Sequence, residues 1–234
     1  MHHKLSRYLS PATWRVLQTG PARRLIANAF HVSYYHSTDT WQLNRFLGYP
    51  ILQCPLDLYT YQEVLDRVRP SFVLQTGVAH GGSLLYFATL LDLVGAPPSA
   101  VVIGIDIELT DSARSLAHPR IRLLEGSSTD PVIVRRAREL LPAPGGLVVL
   151  DSDQSMQHVL SEMHLYKDLV DVGSFLVVED TNVNGHPVSP GFGPGPHEAV
   201  QEFLASCTGF VQDDGVWKRQ LLSFHQGGWL RRIR

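Results

Sequence analysis

Two apolar runs in this chain end on acids. In LVVLDSDQSMQHV the run 147–150 leads straight into Asp151 and Asp153, and SFLVVED ends on Glu179 and Asp180. Carboxylates gathered at neighbouring strand tips repel one another and raise their own pKa values unless a cation sits among them. An oxygen-only set implies a hard ion, Mg²⁺ before Ca²⁺, with positions left open for water or substrate. Acids capping loops in water are the plainer alternative. Gln154 follows the first pair at once, and His158 lies four residues further on, on the same face of a helix that starts there.

A second cluster lies upstream. In LQTGVAHGGS, Gly77, Gly81 and Gly82 allow a tight turn that brings backbone N–H groups near a ligand. The spacing is G-x-x-x-G-G, not the G-x-G-x-x-G of a dinucleotide site. Asp106 closes VVIGID, and an acid at that strand end can accept hydrogen bonds from both hydroxyls of a ribose. A nucleoside held without a dinucleotide fingerprint points to S-adenosylmethionine ahead of NAD.

These residues need a scaffold, and from residue 71 onward the chain supplies one. Apolar runs of strand length alternate with helical patterns, a rhythm that predicts a parallel α/β sheet. Strands are expected at 71–77, 101–106, 120–126, 146–153 and 174–180, and helices at 82–95, 130–141, from 154 to about 170, and at 197–206. Asp130 followed by Pro131 is a strong helix start. FVQDD and RQLLSFHQGGWL are expected to close the sheet as an antiparallel pair. The fold class is therefore α/β: a doubly wound, mostly parallel seven-stranded sheet with the site outside its carboxyl edge. Residues 1–60 read as a helical appendage and 61–234 as the catalytic domain. The appendage's aromatics Tyr34, Tyr35, Trp41, Tyr59 and Tyr61 could stack on a sugar or serve as core or dimer contact. The stretch 181–196, rich in Gly and Pro, reads as a mobile substrate lid, or else as a rigid brace against a second subunit.

Bulk properties narrow the class further. At 234 residues, 44% hydrophobic and 18% charged, the chain reads as an ordinary globular protein. A net charge of −2 gives no electrostatic case for nucleic acid. Cys54 and Cys207 show no C-x-x-C spacing, so neither a disulfide framework nor a zinc knuckle is expected, and a reducing cytoplasm fits. The amino-terminal segment lacks the long apolar run of a signal peptide or membrane span. An aromatic-rich helical appendage favours a homodimer or higher homo-oligomer.

The segments CPLDLYTYQEVL (54–65), LQTGVAHGGS, VIGIDIE, EGSSTDP, LDSDQSMQHVLSEM and VVEDTNVNGHPVSPGFGPGPHEA resemble the cephalosporin hydroxylase-like family, which includes the rhamnosyl O-methyltransferases. The resemblance implies a Rossmann-like fold and S-adenosylmethionine- and Mg²⁺-dependent methylation of a sugar hydroxyl, on a glycoside or oligosaccharide of mannoside or rhamnoside type, within polysaccharide biosynthesis. By position it implies cofactor contacts at Gly77, Ser83, Asp106, Ser127 and Ser128. It implies metal ligands at Asp151, Glu179 and Asp180, with Asp153 a fallback first ligand. The family pattern places a proton-accepting histidine three residues after the first ligand, Asp151, and here Gln154 stands in its place.

A sugar hydroxyl is protonated at neutral pH, and a general base typically contributes ~10²–10⁴-fold to its attack. Gln154 can accept a hydrogen bond but cannot carry a proton away. The acceptor is then Asp153, His158 or His186, or the chain carries a crippled base. Two other readings stand beside the transferase. One is a component of β-lactam hydroxylation and methoxylation, disfavoured because no His and carboxylate set resembles a facial iron triad. The other is a cofactor-binding protein with impaired turnover.

Overall fold

The computed structural model describes residues 10–142 and 145–234. Helix α1 (Pro11–Leu17) begins at Ser10, whose hydroxyl accepts from the backbone N–H of Thr13. Helix α2 (Gly20–His36) follows; it buries His31 and leaves Leu25, Ile26 and Phe30 on its outer side. A small hairpin, β1 (Arg45–Phe46) and β2 (Tyr49–Pro50), leads into α3 (Pro55–Val68), which runs through the expected division at residue 60.

The rest is one alternating sheet. In chain order come β3 (Phe72–Thr76), α4 (Gly82–Leu93), β4 (Val101–Asp106), α5 (Asp111–Arg114), β5 (Ile121–Glu125), α6 (Pro131–Glu139), β6 (Gly146–Leu150), α7 (Met156–Tyr166), β7 (Phe175–Val178), α8 (Pro196–Ser206), β8 (Phe210–Gln212) and β9 (Trp229–Arg232). The strand order is β5-β4-β3-β6-β7-β9-β8, parallel except at β9, which runs antiparallel to both of its neighbours. Strands β3, β6 and β7 are buried along their whole length, because helices cover both faces. One apolar cluster joins one face to α6, α7 and α8, and another joins the opposite face to α3 and α4. The doubly wound fold expected from the alternation is the one formed.

Two local differences have physical causes. The stretch after Asp106, expected to be irregular, holds the single turn of α5, because the Thr110 hydroxyl accepts from the Ala113 N–H. The closing strand begins only at Trp229, not near Arg219. The intervening chain is drawn elsewhere: the Phe224 N–H donates to Asp57 Oδ2 at 2.7 Å, and its carbonyl accepts from the Asn182 N–H at 3.2 Å. No helix among the described residues is long and apolar enough to cross a membrane.

Candidate active site

Register places the acids. Thr76, Leu150 and Val178 lie level across β3, β6 and β7. Gly77, Asp151 and Glu179 are therefore the next residues along, just beyond the carboxyl edge, on strands about 4.8 Å apart. Gly77 has φ +78°, and a Cβ there would meet the Asp151 carbonyl oxygen at 1.8 Å. Only glycine lets these two tips approach so closely.

Outside this edge lies a cavity of about 520 Å³, within the usual range for a small-molecule site. Its wall brings together Gly77, Ser83, Asp106, Ser127 and Ser128, all five residues expected to contact the cofactor, with Asp151, Asp153 and His158. Asp106 Oδ2 accepts from the N–H groups of Val78 (2.7 Å) and Ala79 (3.0 Å), and Oδ1 from that of Glu108 (3.1 Å). The acid thus ties the glycine-rich turn to β4. Ser128 Oγ lies 3.1 Å from His158 Nε2, and Ser127 Oγ 3.0 Å from Thr129 Oγ1. The near wall comes from outside the sheet, from residues 50–53. Gly82 makes room for it, since a Cβ there would meet the Pro50 carbonyl oxygen at 2.2 Å.

Behind Asp151 the chemistry is unusually buried. Burial first, then the charges of Glu179 and Asp180, push the Asp151 carboxyl well above the carboxylate range. Burial raises Glu179 to about 8, against the hydrogen bonds of Tyr61 and Gln53, and raises Asp180 to about 6. The Tyr61 hydroxyl donates to Glu179 Oε1, and the Gln53 amide donates to Glu179 Oε2 and, at 3.4 Å, to Asp151 Oδ2. Asp180, at φ +52°, takes the Gln154 amide on Oδ2, and its N–H donates to His225 Nδ1 at 3.2 Å. That bond leaves any ring proton on Nε2. Nε2 faces Asp57 Oδ2 at 3.7 Å and Glu179 Oε1 at 3.6 Å, and burial holds His225 near 3 and raises Asp57 to about 7.

Among the described residues no group of three or more His, Cys, Asp and Glu side chains is arranged to hold a metal ion as it stands. The donor set nevertheless suits a hard dication: the buried Glu179 and the half-buried Asp151 and Asp180, each made a weaker acid by its surroundings, with amide N–H groups turned onto them as partial positive charge. Asp153 stands apart. It is exposed, and its Oδ1 accepts from the Ser155 N–H at 2.7 Å, which holds its carboxyl below the ordinary value. His158 pairs with Glu162 at 3.4 Å, and that hydrogen bond raises its proton affinity. His186 lies 3.0 Å from Glu198 and stacks on His197.

The stretch 181–196 contributes nothing to the cavity wall. Glu198 organises it: Oε1 takes Asn184 Nδ2 (3.1 Å) and His186 Nε2, and Oε2 takes the Gly195 N–H (2.7 Å). Sequence reasoning left out Gln53, Asp57 and His225; of its two readings of Tyr61, sugar stacking or core, the structure shows the core one, with the hydroxyl turned onto Glu179. Tyr34, Tyr35 and Trp41 pack around Phe224 as a small satellite core, although burial and the fields of Asp180 and Asp151 raise the Tyr35 hydroxyl to about 12.

The model of the family described as Rhamnosyl O-methyltransferase/CmcI matches residues 38–233. The chain is 36% identical over 210 residues to the rhamnosyl O-methyltransferase of Mycobacterium leprae (strain TN), covering 88% of this chain and 90% of that protein. It is 38% identical over 180 residues to the rhamnosyl O-methyltransferase of Mycobacterium tuberculosis (strain ATCC 25618 / H37Rv), covering 76% and 73%. The fold is similar to CmcI in complex with Mg and SAM, with TM-score 0.63 and 23% identity over 82% of this chain and 78% of that one. It is also similar to the O-methyltransferase TomG from Streptomyces achromogenes, with TM-score 0.56 and 16% identity over 89% and 90%.

Proposed function

The chain belongs to the rhamnosyl O-methyltransferase/CmcI family, and from that premise we propose that it methylates a sugar hydroxyl of a glycoside or oligosaccharide, of rhamnoside or mannoside type. The observation that carries the reading is the adjacency of two chemistries: a nucleoside-sized cavity lined by Gly77, Ser83, Asp106, Ser127 and Ser128, and a carboxylate cluster at Asp151 on its wall. S-Adenosylmethionine supplies the electrophilic methyl group when bound along that cavity. Mg²⁺, held by Asp151, Glu179 and Asp180, would lower the pKa of an acceptor hydroxyl and orient it.

The remaining roles fall to the chain itself. Asp106 braces the glycine turn that receives the cofactor, and Gly77 keeps Asp151 at its edge. His158, lining the same cavity with a raised pKa, is the favoured proton acceptor among the three considered. Asp153 is a poorer one, its carboxylate already satisfied by Ser155. A second reading, impaired turnover, is favoured by one contact: Gln154 donates to Asp180, so it serves a carboxylate and accepts no proton. In this proposal the catalytic unit is 61–234 together with the segment 50–60, which supplies a wall of the cavity and the Gln53 bond to Glu179. The exposed apolar side of α2 is its surface for homo-oligomers, which light scattering at increasing concentration would report.

The deciding experiment incubates the protein with S-adenosylmethionine and a panel of rhamnosides and mannosides, with Mg²⁺ or with EDTA. Methylated sugar that disappears with EDTA is expected. Cofactor binding without product on any acceptor would favour the impaired reading, and product unaffected by EDTA would remove the metal from the proposal.

A further inference from the structure

We propose that Gln53 is a neutral metal ligand: its side-chain carbonyl oxygen Oε1 joins Asp151, Glu179 and Asp180 around the cation when the amide turns over. The inference rests on the cation reading above and concerns a residue outside the sheet.

Gln53 is 4% exposed, in the segment between β2 and α3, and its main-chain carbonyl is fixed by Asn44 Nδ2 at 3.0 Å. Its amide nitrogen bridges two of the carboxylates, Glu179 Oε2 and, at 3.4 Å, Asp151 Oδ2. Its Oε1 is buried with no hydrogen-bond partner. A buried amide oxygen without a partner is costly to leave unmade, and is uncommon in folded proteins. The two ends of the amide are nearly equal in shape, so a half-turn about its terminal bond exchanges N–H₂ for oxygen with little steric change.

The charge among the acids then selects the face. With no cation present, amide protons stabilise the clustered carboxylates. With a dication there, the same protons are repelled and the oxygen is attracted. Three carboxylates already overcompensate a divalent charge, so a further anionic ligand would add repulsion. A neutral oxygen adds a ligand without adding charge, and still leaves an octahedral ion room for acceptor oxygens.

The test titrates Mg²⁺, and Mn²⁺ as its spectroscopic substitute, into the full-length protein by calorimetry without cofactor. Gln53→Leu is expected to weaken the metal about 10–100-fold. Gln53→Glu, which keeps an oxygen there but adds a fourth negative charge, is expected to bind more weakly than wild type and more tightly than Gln53→Leu. The wild-type Gln53 side-chain N–H₂ resonance should shift with Mg²⁺ and broaden with Mn²⁺. Tighter or unchanged binding in Gln53→Leu would overturn the proposal and leave Gln53 a donor clamp that competes with the metal. Melting of each variant at pH 5.5 controls for folding, and Gln53→Glu carries the comparison should Gln53→Leu fail to fold. Absence of Mg²⁺ binding by the wild-type protein would overturn the cation reading itself, and the ligand assignment with it.

Discussion

At the scale of single residues, the acids and the amides have opposite histories. Asp151, Glu179 and Asp180 announce themselves, because each follows an apolar run that a parallel sheet must bury, and the first polar residue after such a run falls on the sheet edge. Their partners do not: Gln53 reaches Asp151 across 98 positions and Glu179 across 126, and Tyr61 reaches Glu179 across 118. No local period encodes a contact at that range. Gln154 marks the chemical question most sharply. Gln154→His places an imidazole beside Asp180; with His158 as acceptor, kcat in the sugar methylation assay is expected to stay unchanged, whereas a rise of about a hundredfold, the lower end of what a general base contributes, would favour the impaired reading. Unchanged turnover would assign the proton to His158, and His158→Ala should then lower kcat by a similar factor.

At the scale of elements, strands and helices were readable because their composition and caps agree: Asp130 Oδ1 accepts from the Val132 N–H at 2.6 Å, as the Asp-Pro start implies. The glycine turn was readable as a turn, but not for its strictest constraint. Gly77 faces backbone of the neighbouring strand end, and its replacement acts through packing as well as dihedral strain. Gly77→Ala is expected to lose about 2–3 kcal/mol of stability, read as a lower urea midpoint, and to weaken cofactor binding as the Asp151 tip is displaced. The stretch 181–196 shows the limit of reading Gly and Pro as hinges. Its order comes from side-chain to backbone bonds around Glu198, and hydropathy carries no signal for those.

At the scale of the whole molecule, burying so many ionisable groups ties stability to pH and to the cation. Glu179, Asp57 and Asp180 sit at about 8, 7 and 6, against about 4 in an unfolded chain. The protonated forms favour the fold, so their stabilisation is complete below pH ~4 and is lost as pH rises through 6 to 8. Buried His31 and His225, lowered by burial to about 4 and about 3, act the other way and destabilise the fold as pH falls below ~6.5. Three raised acids outweigh two lowered histidines above pH ~4, so the metal-free melting temperature is expected to peak near pH ~4–5 and decline toward pH ~8.5. Mg²⁺ should flatten the alkaline side, since a ligand for the folded state adds stability that grows with the logarithm of its concentration above Kd. Differential scanning calorimetry with EDTA and with Mg²⁺ measures both arms, and an alkaline arm identical in the two would contradict the cluster's affinity for the ion. One further feature bears on diversification. Because residues 50–53 rest on the helix start that Gly82 leaves bare, the mouth of the cavity is built from a short ribbon that lies outside the central sheet. Substitutions at Pro50, Ile51 and Leu52 can reshape that side of the cavity for new acceptors while Gln53 keeps its bonds to Asp151 and Glu179, so relatives with different sugar preferences should differ there first.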